Sequence, residues 1–415
     1  MTSSAEAVTR SSIESAVEAV YAKHPGPMAN ADLYSAVAEE MGVQMELFET
    51  REPVGNAGKT YCLPARHARW VQQTLKLRGL IERVDRGKWR VTAEGREKLR
   101  RPIRGQRMIA LSTDLGLAVW GDCRDVFSDL PESSITLCLT SPPYPIRKGR
   151  AYGRINESAY VDWLCAVLEP VIAKLVPGGN LALVVGNDVF EQGSPARSLY
   201  QERLILALAD RFDLSLMDRL IWHNPSKAPG PVRWASMKRC QLNAGYEWVL
   251  WFTNEPARVC ADNRRVLEAH SERHQSLMAA GGERRATNTS DGAYRLRPGS
   301  FSNVTEGRIP RNVLTYGHAC AGQRRYRQAA NDLGLPRHGA PAPLSLGRFL
   351  TRFLSEPGSL CADPMAGSLT FPESAELEGR RWLASERYGE YLRGGLERFA
   401  GYSGFTRNPD FEQVI

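Results

Sequence analysis

The 415-residue chain contains no pair of cysteines at Cys-x-x-Cys spacing. Its eight cysteines (Cys62, Cys123, Cys138, Cys165, Cys240, Cys260, Cys320 and Cys361) are scattered, which argues against a disulfide framework or a thiolate zinc site and points to a reducing compartment. No apolar run approaches the ~18 residues of a membrane span, and the first residues carry no apolar signal core. A cytoplasmic protein is expected.

What is present is ordinary in amount and informative in arrangement. Hydrophobic residues make up 42% and charged residues 24%, the balance of a soluble globular chain. The length calls for two or three domains. Lysine and arginine number 54 against 46 acids, a net charge of +8 that is compatible with a polyanionic partner.

Residues 1–102 read as one unit. Ser11 to Ala22, Asn30 to Met41 and Ala65 to Leu80 have helical apolar spacing, with Asn30 as a cap and Gly42 as a stop. A hairpin follows, turning at Asp85-Arg86-Gly87 into Lys88-Trp89-Arg90-Val91, and Thr92 caps a last helix. Three helices and a hairpin ending Gly-x-Trp-x-Val-Thr-x-x-Gly resemble a winged helix. Such folds bind DNA or dock proteins, and the basic third helix and wing favour DNA. Arg100, Arg101, Pro102 and Arg104 form a charged linker.

Residues 103–415 read as α/β. Ala118-Val119-Trp120 is a strand, a short helix runs to Leu130, and Ile135 to Leu139 is a second, buried strand. That strand runs into Thr140-Ser141-Pro142-Pro143-Tyr144. The two prolines stiffen the turn and donate no N–H. They set a hydroxyl acceptor (Ser141), a carbonyl acceptor (Pro142) and an aromatic face (Tyr144) close together, a set that suits gripping an exocyclic amino group on a flat ring. The basic segment after it, with Arg147, Lys148 and Arg150, reads as a DNA-facing lid. Tyr160 to Leu175 is a helix closed by Pro177-Gly178-Gly179, and Leu181 to Val185, Leu220 to Trp222 and Trp248 to Phe252 are strands. Residues 255–310 lose apolar periodicity and accumulate arginines, including Arg295 and Arg297, as a target-reading region would.

Late in the chain, Leu344 to Leu354 is helical and Ser359 to Ala362 is a strand. It runs into Asp363-Pro364-Met365-Ala366-Gly367-Ser368-Leu369-Thr370. Small residues at a strand-to-helix turn let a ligand approach the backbone. Glu386, at the end of the next strand about 20 residues on, suits a ribose diol. This turn has neither the second glycine of a Gly-x-Gly nor a phosphate-loop lysine, so pyrophosphate is a poor candidate.

An amino-group clamp and a nucleoside turn on one sheet resemble the S-adenosylmethionine-dependent DNA amino-methyltransferases. A serine-led Ser-Pro-Pro-Tyr resembles the N4-cytosine branch, and clamp before cofactor turn is the circularly permuted order of the β class. Tyr160-Val161-Asp162-Trp163, Pro195-Ala196-Arg197-Ser198, Asn224-Pro225-Ser226-Lys227, Ile309 to Leu314 and His338-Gly339-Ala340-Pro341 match the same branch. The resemblance covers roughly residues 115 to 400 and not the first unit.

It implies a Rossmann-like methyltransferase sheet with an N-terminal winged helix and an inserted recognition region. S-adenosyl-L-methionine is the implied donor, double-stranded DNA the partner, and no metal is implied. Ser141, Pro142, Pro143 and Tyr144 would grip a flipped cytosine. Asp363, Pro364, Met365, Ala366, Gly367, Ser368 and Thr370 would hold the methionine end of the donor, with His338 and Pro341 closing over it. Glu386 would take the ribose and Asp122 the adenine. Arg147, Lys148, Arg150, Lys227, Arg295 and Arg297 would face DNA. Leu369 stands where relatives carry glycine or a small polar residue. N6-adenine methylation and a catalytically inactive DNA-binding regulator are the alternatives. A separate cognate restriction endonuclease fits the restriction–modification setting.

Overall fold

The computed structural model describes residues 10–415 apart from 25, 54–59, 78, 94, 96–104, 146–156, 290–293, 319 and 340. The first unit comprises α1 (Arg10–Lys23), β1 (Met28–Ala29), α2 (Asn30–Glu40), β2 (Glu52–Pro53), β3 (Thr60–Tyr61), α3 (Leu63–Leu77), β4 (Ile81–Asp85) and β5 (Lys88–Val91). Val17, Tyr21, Leu33, Val37, Val71 and Leu75 form its core, with Trp89 and Val91 of the hairpin packed onto it. β1 adds a third strand, Met28 pairing with Trp89.

This is the expected winged-helix order, with two corrections. α3 stops at Leu77 rather than Leu80, because Gly79 takes φ +73° and the Leu80 N–H bonds back to Leu75. Asn30 does not cap α2; its side chain accepts instead from the buried Gln72 amide at 3.1 Å. Thr92 does accept from Gly95 N–H at 2.9 Å, while most of the helix beyond it and the linker arginines lie outside the described residues.

The second unit begins with β6 (Arg107–Ser112), β7 (Gly116–Gly121), α4 (Cys123–Phe127), β8 (Ile135–Thr140), α5 (Glu157–Ile172) and β9 (Leu175–Val185). It continues through α6 (Tyr200–Phe212), β10 (Ser215–His223), β11 (Tyr246–Thr253), α7 (Glu272–Ala279), β12 (Thr287–Thr289), β13 (Tyr294–Leu296), β14 (Val313–Thr315) and α8 (Ala321–Asp332). α9 (Leu344–Leu354), β15 (Leu360–Asp363), α10 (Thr370–Leu377), β16 (Arg381–Glu386), α11 (Gly389–Gly395), β17 (Thr406–Arg407) and α12 (Pro409–Val414) complete it. One mixed sheet runs β14-β10-β11-β9-β8-β15-β16-β7-β6-β17.

β8, β9, β15, β16 and β7 are mutually parallel, whereas β11 enters antiparallel against β9. The central strands are covered on both sides, which explains their unbroken apolar runs. On one side α9 buries Leu346, Phe349, Leu350 and Leu354, the stripe of an amphipathic helix.

Pro177-Gly178-Gly179 does not end a helix. It lies inside β9, where Gly178 (φ +78°) passes so close to Arg258 that a Cβ would meet its carbonyl at 1.8 Å. α5 has already ended at Ile172, and Leu175 pairs with Ile135. α8 carries three arginines and reads as polar, yet it buries Gln323, Tyr326, Ala329 and Ala330. No helix among the described residues is long and apolar enough to cross a membrane.

Candidate active site

Strand register brings the singled-out residues to one edge. Ala362 pairs with Cys138, Asp363 with Ala384, and Glu386 with Trp120. Ser141, Asp363, Glu386 and Asp122 therefore stand at or just beyond the same ends of four neighbouring strands, β8, β15, β16 and β7. Such an edge is where open α/β sheets bind ligands. Because β11 runs antiparallel, its first residues reach that edge too, Trp248 lying opposite Val185.

In the clamp, Ser141 Oγ lies 3.4 Å from both Tyr144 Oη and the Val184 carbonyl. Tyr144 donates to Glu247 Oε2 at 2.7 Å. Its ring presses on Gly186, where a Cβ would sit 2.5 Å from the ring, so only glycine fits. Burial, and then the Glu247 charge, hold the phenol well above its ordinary range. Lys227 Nζ contacts Glu247 Oε1 at 3.3 Å and Asp188 Oδ2 at 2.9 Å, and Asp188 meets Arg197 at 3.3 Å. Lys227, expected against DNA, is thus held between two carboxylates beside the clamp. Glu247 gave one faint sequence signal, a lone carboxylate at the head of an apolar strand.

The second turn is built around Gly367, at φ +51°, whose N–H donates to Glu386 Oε2 at 2.7 Å. Glu386 Oε1 accepts from Tyr388 N–H at 2.8 Å. Ala366 N–H bonds Ser385 O, and Ser385 Oγ donates to Pro364 O at 2.9 Å, locking turn to strand. Met365 N–H reaches Asp363 Oδ1 at 3.3 Å, while Ser368 and Thr370 are buried where α10 begins. Leu369 occupies the left-handed region at φ +62° with its side chain fully buried. That conformation explains why glycine suits the position, and burial offsets the strain here.

His338 lies over the turn: a Cβ on Gly367 would come within 2.9 Å of its Nε2. Its backbone N–H donates to Tyr326 Oη at 2.7 Å, and Pro341 is buried close behind. Burial pushes Asp363 up to about 7 and raises Glu386. Asp122 instead caps α4 and accepts from Arg124 N, Nε and Nη2 at 2.8–3.0 Å. Burial opposes its ionisation, but the Arg124 bonds and charge prevail and lower its pKa. Its carboxylate pairs with Arg124, and Arg387 lies 3.8 Å from Oδ2.

Arg295 and Arg297 are exposed on and just after β13. Arg147, Lys148 and Arg150 lie outside the described residues. Among the described residues no cluster of His, Cys, Asp and Glu could hold a metal ion.

The Ser141–Tyr144 turn and the Asp363–Thr370 turn thus follow adjacent strands at the ligand edge of one mixed α/β sheet. The chain belongs to the DNA methylase family, whose profile matches residues 135–397, and it is a DNA methyltransferase of the N4/N6 type. The Mrr N-terminal domain profile matches residues 17–101. The type II methyltransferase M.PvuII of Proteus hauseri is 30% identical over 290 residues, 70% of this chain and 85% of that protein. The DNA adenine methyltransferase YhdJ of Escherichia coli (strain K12) is 22% identical over 68% of this chain and 81% of its own. The solved structure of PvuII DNA methyltransferase (cytosine-N4-specific) superimposes with a TM-score of 0.55 at 27% identity, covering 73% of this chain and 91% of that one.

Proposed function

We propose that the protein transfers a methyl group from S-adenosyl-L-methionine to the N4 amino group of a cytosine flipped out of double-stranded DNA, in a restriction–modification system or a solitary or phage-borne equivalent. The observation that carries this reading is the serine-led clamp: Ser141 Oγ, beside the Pro142 carbonyl, stands at the same sheet edge as the Gly367–Glu386 turn. The residues fit the donor. Asp363 and Glu386 are buried carboxyls at adjacent strand ends with raised pKa values, so a cationic ligand there restores their ionised state. Gly367 lets the His338 ring approach the turn backbone, where a Cβ would come within 2.9 Å of it. S-adenosyl-L-methionine, when bound, supplies a methyl group activated by a positively charged sulfur.

The chain's own residues do the rest. Ser141 and the Pro142 carbonyl accept from the amino hydrogens, which draws the nitrogen lone pair out of ring conjugation, and the same dipoles stabilise the positive charge that develops. Pro143 holds the turn rigid, and Tyr144 offers the ring on which the base stacks. Holding amine and donor on adjacent strands supplies proximity. Flipping costs a few kcal/mol, which stacking and phosphate contacts offset. Residues 1–102 form a DNA-contacting module, 103–415 the catalytic unit, and 255–310, with Arg295 and Arg297, the target reader.

Mass spectrometry of nucleosides from treated DNA tests this. N4-methylcytosine is the expected product. N6-methyladenine would move the target to adenine, the substrate named for YhdJ. A protein that binds no S-adenosylmethionine and leaves DNA unmodified would be a regulator.

A further inference from the structure

We infer that Glu247 sets the direction of the hydrogen bonds in the clamp, so that Tyr144 does not donate to Ser141 and the serine lone pairs stay free for the target amino group. The inference rests on the amino-methyltransferase reading and extends it to a residue outside the Ser-Pro-Pro-Tyr turn. An ionised carboxylate can only accept. Glu247 Oε2 lies 2.7 Å from Tyr144 Oη, so the phenol proton points to Glu247. The Tyr144 oxygen is thereby left as an acceptor, facing Ser141 Oγ at 3.4 Å. The other neighbour of Ser141 is the Val184 carbonyl, also 3.4 Å away and also only an acceptor. Either partner can accept the serine proton and neither donates to it, so both serine lone pairs stay free.

Lys227 Nζ pairs with Glu247 Oε1 at 3.3 Å, and Asp188 holds the lysine from its far side. The ring packs against the Gly186 backbone, where a Cβ would lie 2.5 Å from it. A glutamine at 247 would break the order. Its amide N–H could donate to Tyr144 Oη, freeing the phenol proton for Ser141. The phenol would then occupy a serine lone pair otherwise free for the amino group, while the serine proton stays with the Val184 carbonyl. Glu247 is a positioning residue that acts through Tyr144 and Ser141.

The test compares binding of two duplexes in the presence of the demethylated donor, one carrying the target cytosine and one carrying uracil in its place. Uracil presents a carbonyl acceptor where cytosine presents an amino donor. The wild-type protein should prefer cytosine. Glu247→Gln should reduce that preference about tenfold or more and lower kcat roughly a hundredfold, with S-adenosylmethionine affinity unchanged. Tyr144→Phe removes the coupling, leaves Ser141 bonded to Val184, and should keep the preference for cytosine. Adding Glu247→Gln to Tyr144→Phe should then change nothing further.

A wild-type cytosine-to-uracil ratio in Glu247→Gln would overturn the inference. So would a ratio that collapses in Tyr144→Phe alone, or a Glu247→Gln effect that persists without the phenol. Should the methylated base be adenine, adenine and hypoxanthine replace the pair: the N4 reading then fails while the same ratios still decide the role of Glu247.

Discussion

Asp363 should make both stability and donor binding depend on pH. Burial raises its carboxyl to about 7 in the folded chain, against about 3.9 for an unperturbed aspartate. The folded-state value lies above the unfolded one, so the folded state binds more protons between these limits. Its stabilising contribution is fully present below about pH 4, declines by about 1.4 kcal/mol per pH unit as pH rises, and is gone above about 7. The total loss is about 4 kcal/mol. Asp363→Asn keeps the acceptor for Met365 N–H but cannot ionise. In the absence of donor, the variant should be about 2–4 kcal/mol more stable than wild type at pH 8 and nearly equal at pH 4.

A cationic donor favours the ionised carboxylate, so its binding to wild type should tighten from pH 6 to 8 and release close to one proton at the lower pH. Calorimetric titration in buffers of different ionisation heat counts that proton. Denaturation across the same pH range reads the stability. A pH-independent donor affinity in wild type, or an Asn variant no more stable at pH 8 than wild type, would refute the assignment of a buried carboxyl with a raised pKa at this turn.

Three further outcomes are expected. Gly186→Ala drives a methyl group to 2.5 Å from a Tyr144 ring already tethered by Glu247, so kcat should fall about tenfold or more with donor affinity intact; single-turnover rates beside donor titrations check this, and an unchanged rate would mean the ring is free to shift. Glu386→Ala removes the carboxylate that Gly367 and Tyr388 N–H groups orient, and should weaken donor binding by about 1–3 kcal/mol with DNA affinity preserved. Neutralising the exposed Arg69, Lys76 and Lys88 should flatten the salt dependence of DNA binding by about 0.9 in log–log slope for each phosphate the protein no longer neutralises, with the methylated sequence unchanged. An unchanged slope would turn attention to Trp70 and Leu77, which are 62% and 88% exposed on α3, as a protein-docking face.

The chain's linear pattern determined which segments could be strands and helices, because unbroken apolar runs such as Leu181 to Val185 leave a buried strand as the simplest way to remove them from water. It also determined the two turns, since Pro142-Pro143 and the small residues at Ala366 to Ser368 restrict the backbone through neighbours in the chain. Boundaries shifted where distant contacts overrode local preference. Gly178 continues a strand because of Arg258, and Asn30 gave up its cap for Gln72.

Tertiary structure alone decided the pairings that no spacing encodes. Ser141 and Asp363 become neighbours because β8 and β15 lie side by side, although more than half the chain separates them. Asp122 pairs with Arg124, Lys227 pairs with Asp188 and Glu247, and Glu247 reaches Tyr144 only because β11 runs antiparallel to β9 and delivers its first residues to the site. Side-chain chemistry is written in the sequence. Which groups meet, and so which protons point where, depends on strand order and direction, which arise from burying both faces of the whole sheet at once.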